Sequence, residues 1–175
     1  MDPSQTMELS EHAQEMHELS DKWVLWAHLP HDTDWSLKSY RHIMRIGSVE
    51  GMVALYSAIP ETLVRNCMLF LMRNNINPTW EDPKNRSGGC FSFKVPNKSV
   101  PSVWQRLSYV LVGETLTPDS NLSKRINGIT ISPKKAFCII KVWLRDCTMQ
   151  DPTRLRELSG LNVHGCIFKR HKPEF

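Results

Sequence analysis

The chain has 175 residues, of which 41% are hydrophobic and 23% charged, with a formal net charge of +4. This is ordinary globular composition, long enough for one domain with a substantial core, and it excludes collagen-like and charge-dominated disordered classes. No apolar run approaches the ~18–20 residues needed to span a bilayer, and the mild positive charge suits an anionic partner without the dense basic patch of a duplex-DNA binder.

Residues 1–20 are polar, with Glu8, Glu11, Glu15 and Glu18 at helical spacing and few apolar anchors. They read as a flexible N-terminal arm ahead of a single domain over 21–175. KWVLWAHL (22–29) is aromatic and β-branched, which predicts a strand. Ser48 is placed to cap a helix through VEGMVALYSAI that ends before Pro60. CMLFLM (67–72) predicts a buried strand, and CFSFKV (90–95) alternates as strands do. Val100, Val103, Trp104, Leu107, Val110 and Leu111 form one apolar helix face that stops at Gly113. GITIS (128–132) and FCIIKVWL (137–144) predict a β-hairpin around Pro133-Lys134-Lys135. Asp151-Pro152 predicts a helix start, running to about Leu158, and VHGCIFKRH (163–171) predicts a final edge strand. Strands predominate over singly interspersed helices, so the predicted class is α+β: a mainly antiparallel sheet with helices on one face.

The five cysteines are odd in number, widely spaced and free of any CxxC. They predict reduced thiols in a cytoplasmic, or also nuclear, protein rather than a zinc site or a disulfide framework. None of the seven histidines stands in HxxxH or HExxH spacing, and GxSxG, P-loop and GxGxxG strings are absent. No nucleophile, metal or cofactor is therefore nominated, and the expectation is a binding protein rather than an enzyme.

Among the six tryptophans, Trp23, Trp26, Trp104 and Trp143 lie in apolar or alternating runs, where packing is the default. Trp35 and Trp80 stand in polar loops, and Glu81 follows Trp80 directly. Alone, each of these rings reads more readily as a loop anchor than as a ligand plate, and Glu81 as a solvated charge. Together, two aromatic plates and one carboxylate suit a flat, cationic, hydrogen-bond-donating base such as 7-methylguanine. Lys124, Arg125, Lys134, Lys135 and Lys141 cluster around the hairpin, where bases serve either as a solvated face or as phosphate partners.

The runs Lys22-Trp23-Val24-Leu25-Trp26, Asp34-Trp35, Ser48-Val49-Glu50 and Ala54-Leu55-Tyr56 resemble the eukaryotic translation initiation factor 4E family. So do Pro78-Thr79-Trp80-Glu81-Asp82 with Asn85 and Gly88-Gly89, Leu111-Val112-Gly113-Glu114, and the spacing from Gly128 to Trp143. The resemblance spans about 17–170, and W-E-D-x-x-N-x-x-G-G is a specific string. It implies a monomeric mRNA 5′-cap binder without membrane association: a curved antiparallel sheet whose concave face holds the cap, with about three longer helices on the convex face. By position, Trp35 and Trp80 would sandwich the 7-methylguanine, Glu81 would accept from its N1–H and amine, and Trp143 would lie against the N7-methyl group. The implied partners are capped mRNA and, on the convex face, a scaffold of the initiation factor 4G type or another 4E-interacting protein.

Departures from the family pattern are equally specific. Cys90 stands where the family usually has arginine after Gly-Gly, and Ile139 replaces a hairpin base. Lys134 retains one phosphate position, Lys135 is beside it in the turn, and Lys141 is two residues from Trp143 and so on its face. The resemblance therefore implies a weaker triphosphate grip than is usual. On the partner-binding surface His17 and Val49 are placed as in the family, Val53 stands in a tryptophan position, Gln105 and Arg106 replace Leu-Glu, and Tyr109 replaces leucine. With its short C-terminus, the chain resembles a divergent protist paralogue, of a kinetoplastid kind, in initiation or in cap-dependent repression.

Overall fold

A computed structural model describes residues 15–175, so most of the expected arm lies outside the described residues. Seven strands form one antiparallel sheet: β1 (Glu18–His28), β2 (Arg41–Ser48), β3 (Met68–Arg73), β4 (Gly89–Pro96), β5 (Ile126–Pro133), β6 (Phe137–Leu144) and β7 (Ile167–Arg170), in the order β2-β1-β3-β5-β6-β4-β7. Side chains alternate between the two faces, so one sequence supplies two different surfaces. Trp23, Leu25, Leu69, Leu71, Phe91, Phe93, Ile129, Ile131, Ile140 and Val142 enter the main core. Their neighbours Trp26, Phe70, Met72, Cys90 and Trp143 form a second cluster on the opposite, concave face.

The main core is closed by α1 (Val49–Ala58), α2 (Glu61–Asn66), α3 (Val100–Val112) and the short α4 (Ser120–Ser123). Ser48 Oγ accepts from Gly51 N at 3.0 Å, which caps α1 as its sequence predicts. Burial of Val100, Val103, Trp104, Leu107, Leu111 and Val112 seats α3 on the sheet. At about 1.5–3 kcal/mol per buried large side chain, this face is the main reason the helix forms here. All the helices contribute to the same core, so the concave face is left clear of them.

Two predicted elements are corrected. The helix expected over 151–158 is only one 3-10 turn, Pro152–Arg154. Asp151 caps it by accepting from Thr153 N, but Arg156 N then donates to Leu116 O at 2.7 Å and Thr117 Oγ1 to Arg154 O at 2.9 Å. The backbone groups that would extend a helix are thus taken by the 116–117 segment. The last strand also contracts to Ile167–Arg170, because Asn162 caps a 3-10 turn over Val163–Gly165. At the other end β1 begins at Glu18, paired with Ser48.

Candidate functional site

On the concave face a cavity of about 620 Å³ opens between two loops and the middle of the sheet, lined by Trp35, Trp80, Glu81, Phe70, Lys141 and Trp143 among others. The first loop, 29–36, is built by short polar bridges. Asp32 Oδ1 accepts from Asp34 N at 2.9 Å and Asp34 Oδ1 from Ser36 N at 2.8 Å. These turns hold Trp35 out from the sheet with 54% of its surface exposed. Its back is not free: the His28 ring lies parallel to it, 4.0 Å between centroids and 2° between planes. His28 is buried on β1, and its Nε2 donates to Asp34 O at 2.8 Å, so ring and loop are fastened by one residue.

The second loop carries Trp80 and Glu81, and the rest of its string is scaffold. Asp82 accepts from Asn77 N and Lys84 N, each at 2.8 Å. Asn85, fully buried, donates to Asn77 O at 3.0 Å and Thr79 O at 2.8 Å, and its own Oδ1 accepts from Asn127 Nδ2 at 2.9 Å. Gly88 is required by a close crossing, since a Cβ there would meet Leu144 O at 1.8 Å. The Trp-Glu pair is therefore presented by a loop whose buried amides are paired. Trp80 is backed by His171, 5.7 Å away with planes 15° apart.

Trp143 forms the floor. It is buried, its Nε1 donates to Thr130 Oγ1 at 3.1 Å, and Phe70 and His171 pack against it. Burial and, to a lesser degree, the Lys141 charge push the His171 imidazole below its usual range, leaving it neutral at neutral pH. Its Nδ1 then donates to Asn85 O at 2.7 Å. Tyr40 also lines the cavity; burial first, and the Glu81 charge second, push its phenol up to about 12. The wall is thus two electron-rich aromatic plates with one anionic edge, and Lys141 stands on the same floor as Trp143. Glu81 is engaged at one oxygen, where Oε1 accepts from Glu174 N at 3.2 Å. Arg86 Nη2 donates to Phe175 O at 3.3 Å, so residues 174–175 lie along the cavity's rim.

Trp35, Trp80, Glu81, Trp143 and Lys141 are brought together. Lys134 and Lys135 are exposed in the β5–β6 turn and do not line the cavity. On the helical face Val49 and Val53 are half exposed and Tyr109 is open, receiving a bond from Gln105 Nε2 at 2.9 Å. His17 Nδ1 is 2.6 Å from Glu50 Oε1, and Arg106 Nη2 donates to Ser159 O at 3.0 Å. His28, His171, Tyr40 and Phe70 were not foreseen. Strand alternation placed His28 on the face of Trp26 and was the available signal; His171 and Tyr40 join only through the fold.

A family model for eukaryotic initiation factor 4E matches residues 18–164. The chain belongs to the eukaryotic initiation factor 4E family. It is 33% identical over 136 residues to eukaryotic translation initiation factor 4E of Eremothecium gossypii, a stretch covering 74% of this chain and 63% of that protein. It thus spans just under two thirds of that relative. The Saccharomyces cerevisiae factor is 29% identical over 165 residues, 90% of this chain and 74% of that one. Among solved structures, the complex of Ascaris suum eIF4E-3 with the m7G cap superimposes with a TM-score of 0.69, at 24% identity and 79% of each chain. Schistosome eIF4E complexed with m7GpppG and 4E-BP gives 0.71, at 20% identity, 79% of this chain and 77% of that one. These structural likenesses are likenesses of fold. Within the 4E family string, Asp82, Asn85 and Gly88 support, while Trp80 and Glu81 face the cavity.

Proposed function

We propose that this 4E-family protein binds the 7-methylguanosine cap of mRNA in translation initiation, without catalysing a reaction. The observation that carries this reading is the convergence of Trp35, Trp80, Glu81 and Trp143 on one cavity. N7 methylation makes guanine cationic, and indole faces attract cations. Glu81 offers the edge acceptor that the N1–H and amine of guanine need, and adenine lacks that pair of donors. Relatives solved with caps support the same reading. The testing experiment is retention on a 7-methyl-GTP resin, eluted by free 7-methyl-GTP and not by GTP. Elution by both nucleotides alike would remove the basis of the proposal.

Lys141 is the cavity's lining base, and with Cys90 buried beside it the phosphate grip rests on few charges. Affinity for 7-methyl-GTP is therefore expected to exceed that for 7-methylguanosine only modestly, by about tenfold at moderate salt, with a log–log salt slope near ~1 per phosphate-bound lysine. Isothermal titration at two salt concentrations measures this. A thousandfold gap with a steep slope contradicts it.

A second reading, a cap-binding regulator that recruits no usual initiation scaffold, is favoured by the helical face. Val53 offers an aliphatic stub, and Arg106 places a cation where a scaffold peptide expects an acid. A generic Tyr-x4-Leu-apolar peptide is expected to bind with a dissociation constant weaker than about 10 μM, some 7 kcal/mol or less of binding free energy. Submicromolar binding in a fluorescence titration would overturn this expectation.

A further inference from the structure

Beyond the cavity the concave face continues along β6, β4 and β7, and its side chains there have no role in holding the base. Sharing the face of Trp143 are Lys141, Ile139 and Phe137 on β6, Ser92 and Lys94 on β4, and Ile167 and Lys169 on β7. Register fixes their order across the sheet. Cys90 sits opposite both Trp143 and Lys169, Ser92 opposite Lys141 and Ile167, Lys94 opposite Ile139, and Pro96 opposite Phe137. Adjacent strands are ~4.8 Å apart, so Lys141 and Lys169 flank the Cys90–Ser92 stretch from either side. The Cys90 thiol registers both: burial pushes it up, and the two ammonium charges and the Ser92 bond oppose that rise.

At the far end Lys94 Nζ lies 4.3 Å from the centroid of the Phe137 ring. Around this pair is a groove of about 460 Å³ lined by Lys94, Pro96, Ala136, Phe137, Asn162 and Gly165. Six residues at ~3.3 Å each put Phe137 roughly 20 Å from the Trp143 floor. The strip therefore starts at the proposed cap cavity, carries three lysines and no carboxylate among the residues named, and ends at an aromatic ring in a concavity.

We infer that this strip is a track for the RNA that follows the cap: Lys141 and Lys169 take its first phosphates, and Phe137 stacks a base of the leading nucleotides. The inference rests on the cap reading, because the chain reaches the strip from the cavity. Charge decides the class of occupant. A row of cations with an aromatic terminus suits a polyanion of stacked bases. An incoming base displaces the Lys94 ammonium from the Phe137 face, and the phosphate beside that base receives it. The interaction lost is thus replaced by a stronger, charge-assisted one.

The test compares wild type with Lys94→Ala/Phe137→Ala and, with the ring intact, Lys94→Glu/Lys169→Glu. Each full-length chain is titrated with 7-methyl-GTP, a capped six-nucleotide RNA and the same RNA uncapped. In wild type the capped RNA is expected to bind at least about tenfold more tightly than 7-methyl-GTP, the worth of one stacked base. Both variants should lose that advantage, the Lys94→Ala/Phe137→Ala variant with its 7-methyl-GTP affinity unchanged, and the charge variant should lower the salt slope of capped-RNA binding by about two. Capped RNA binding no better than 7-methyl-GTP, or a gain that survives in both variants, would overturn the track. Failure of wild type to bind 7-methyl-GTP refutes the cap reading separately; the track then stands if uncapped RNA binding falls in both variants and falls if it does not. A peptide pairing with the β7 edge, the competing occupant, would leave both RNA titrations unchanged by the substitutions.

Discussion

Trp80→Ala is expected to weaken 7-methyl-GTP binding roughly hundredfold, and Glu81→Gln between about tenfold and hundredfold, with different consequences for specificity. The Trp80 ring lines the cavity and is held from behind by His171, so it meets a base without rearranging. Stacking contributes about 1–3 kcal/mol per base, and attraction to a cationic base about 0.5–2 kcal/mol more. At ~1.4 kcal/mol per decade, mid-range values give the hundredfold estimate. Glu81→Gln acts on the base edge instead. The amide keeps one acceptor but turns an NH2 toward guanine's donors, which removes a charge-assisted bond of about 1.5–3 kcal/mol. Glu174 N now donates to Glu81 Oε1, so one of the two carboxylate oxygens already carries a bond from within the chain. Trp80→Ala should therefore weaken 7-methyl-GTP and 7-methyl-ATP alike, whereas Glu81→Gln should shrink the ratio between them. Fluorescence titrations of both nucleotides, on variants verified as folded by circular dichroism, read this out. Equal ratios in wild type and Glu81→Gln would show that the carboxylate does not read the base.

How far the fold and site were legible follows from the range of the interactions concerned. The runs of β1, β3, β4, β5 and β6 were readable because each turns one continuous face of apolar or aromatic residues into the core. β2 was not readable. Its partners step from Leu25↔Met44 to Trp26↔His42, so Ile43 is an extra residue in a bulge. The bulge reverses which face each later residue takes, and the period-2 signal is lost. Asp151-Pro152 illustrates the opposite failure: the cap is real, but Leu116 O captures the chain after one turn. At the site, Trp35, Trp80 and Glu81 stood out because they are costly or purposeless in polar loops. Lys134 was nominated by counting along the hairpin and Lys135 by its place in the turn; both are exposed there, outside the cavity's lining. Lys141 was placed by alternation, a physical rule, and does line the cavity.

The string Leu111-Val112-Gly113-Glu114, a marker of resemblance at first, has a physical role that leads to the largest expected effect on stability. Arg73→Met is expected to lower the free energy of unfolding by about 3–5 kcal/mol, the usual cost of breaking a buried ion pair from one side. The Arg73 side chain, 12% exposed at the end of β3, donates to Glu114 through both Nη1 and Nη2, the latter at 3.0 Å. It also donates from Nε to Ile126 O at 2.8 Å, from Nη2 to Ser123 O at 2.9 Å, and from Nη1 to Asp21 Oδ2 at 2.9 Å. Its guanidinium lies 4.5 Å from the Trp23 ring centroid. One side chain thus ties β1, β3, the start of β5, the end of α4 and the turn after α3. Methionine fills the space but leaves Glu114 charged and facing two unpaired carbonyls. Ser123 Oγ, 2.7 Å from Glu114 Oε2, is then its only remaining side-chain donor among the described residues. For a domain of this size, ~2–4 °C per kcal/mol converts the loss into a Tm drop of roughly 6–20 °C. Arg73→Lys should fall between, since a single ammonium cannot reproduce the fork. The double variant Arg73→Met/Glu114→Leu should recover part of the loss, because the uncompensated charge is gone. Urea unfolding of the three variants measures the set. A loss under ~1 kcal/mol for Arg73→Met would place the pair with ordinary screened surface bridges instead. Because Trp26 and Phe70 on these same strands wall the cavity's side of the sheet, the destabilised variants should also bind 7-methyl-GTP less well on warming, in step with their unfolding curves.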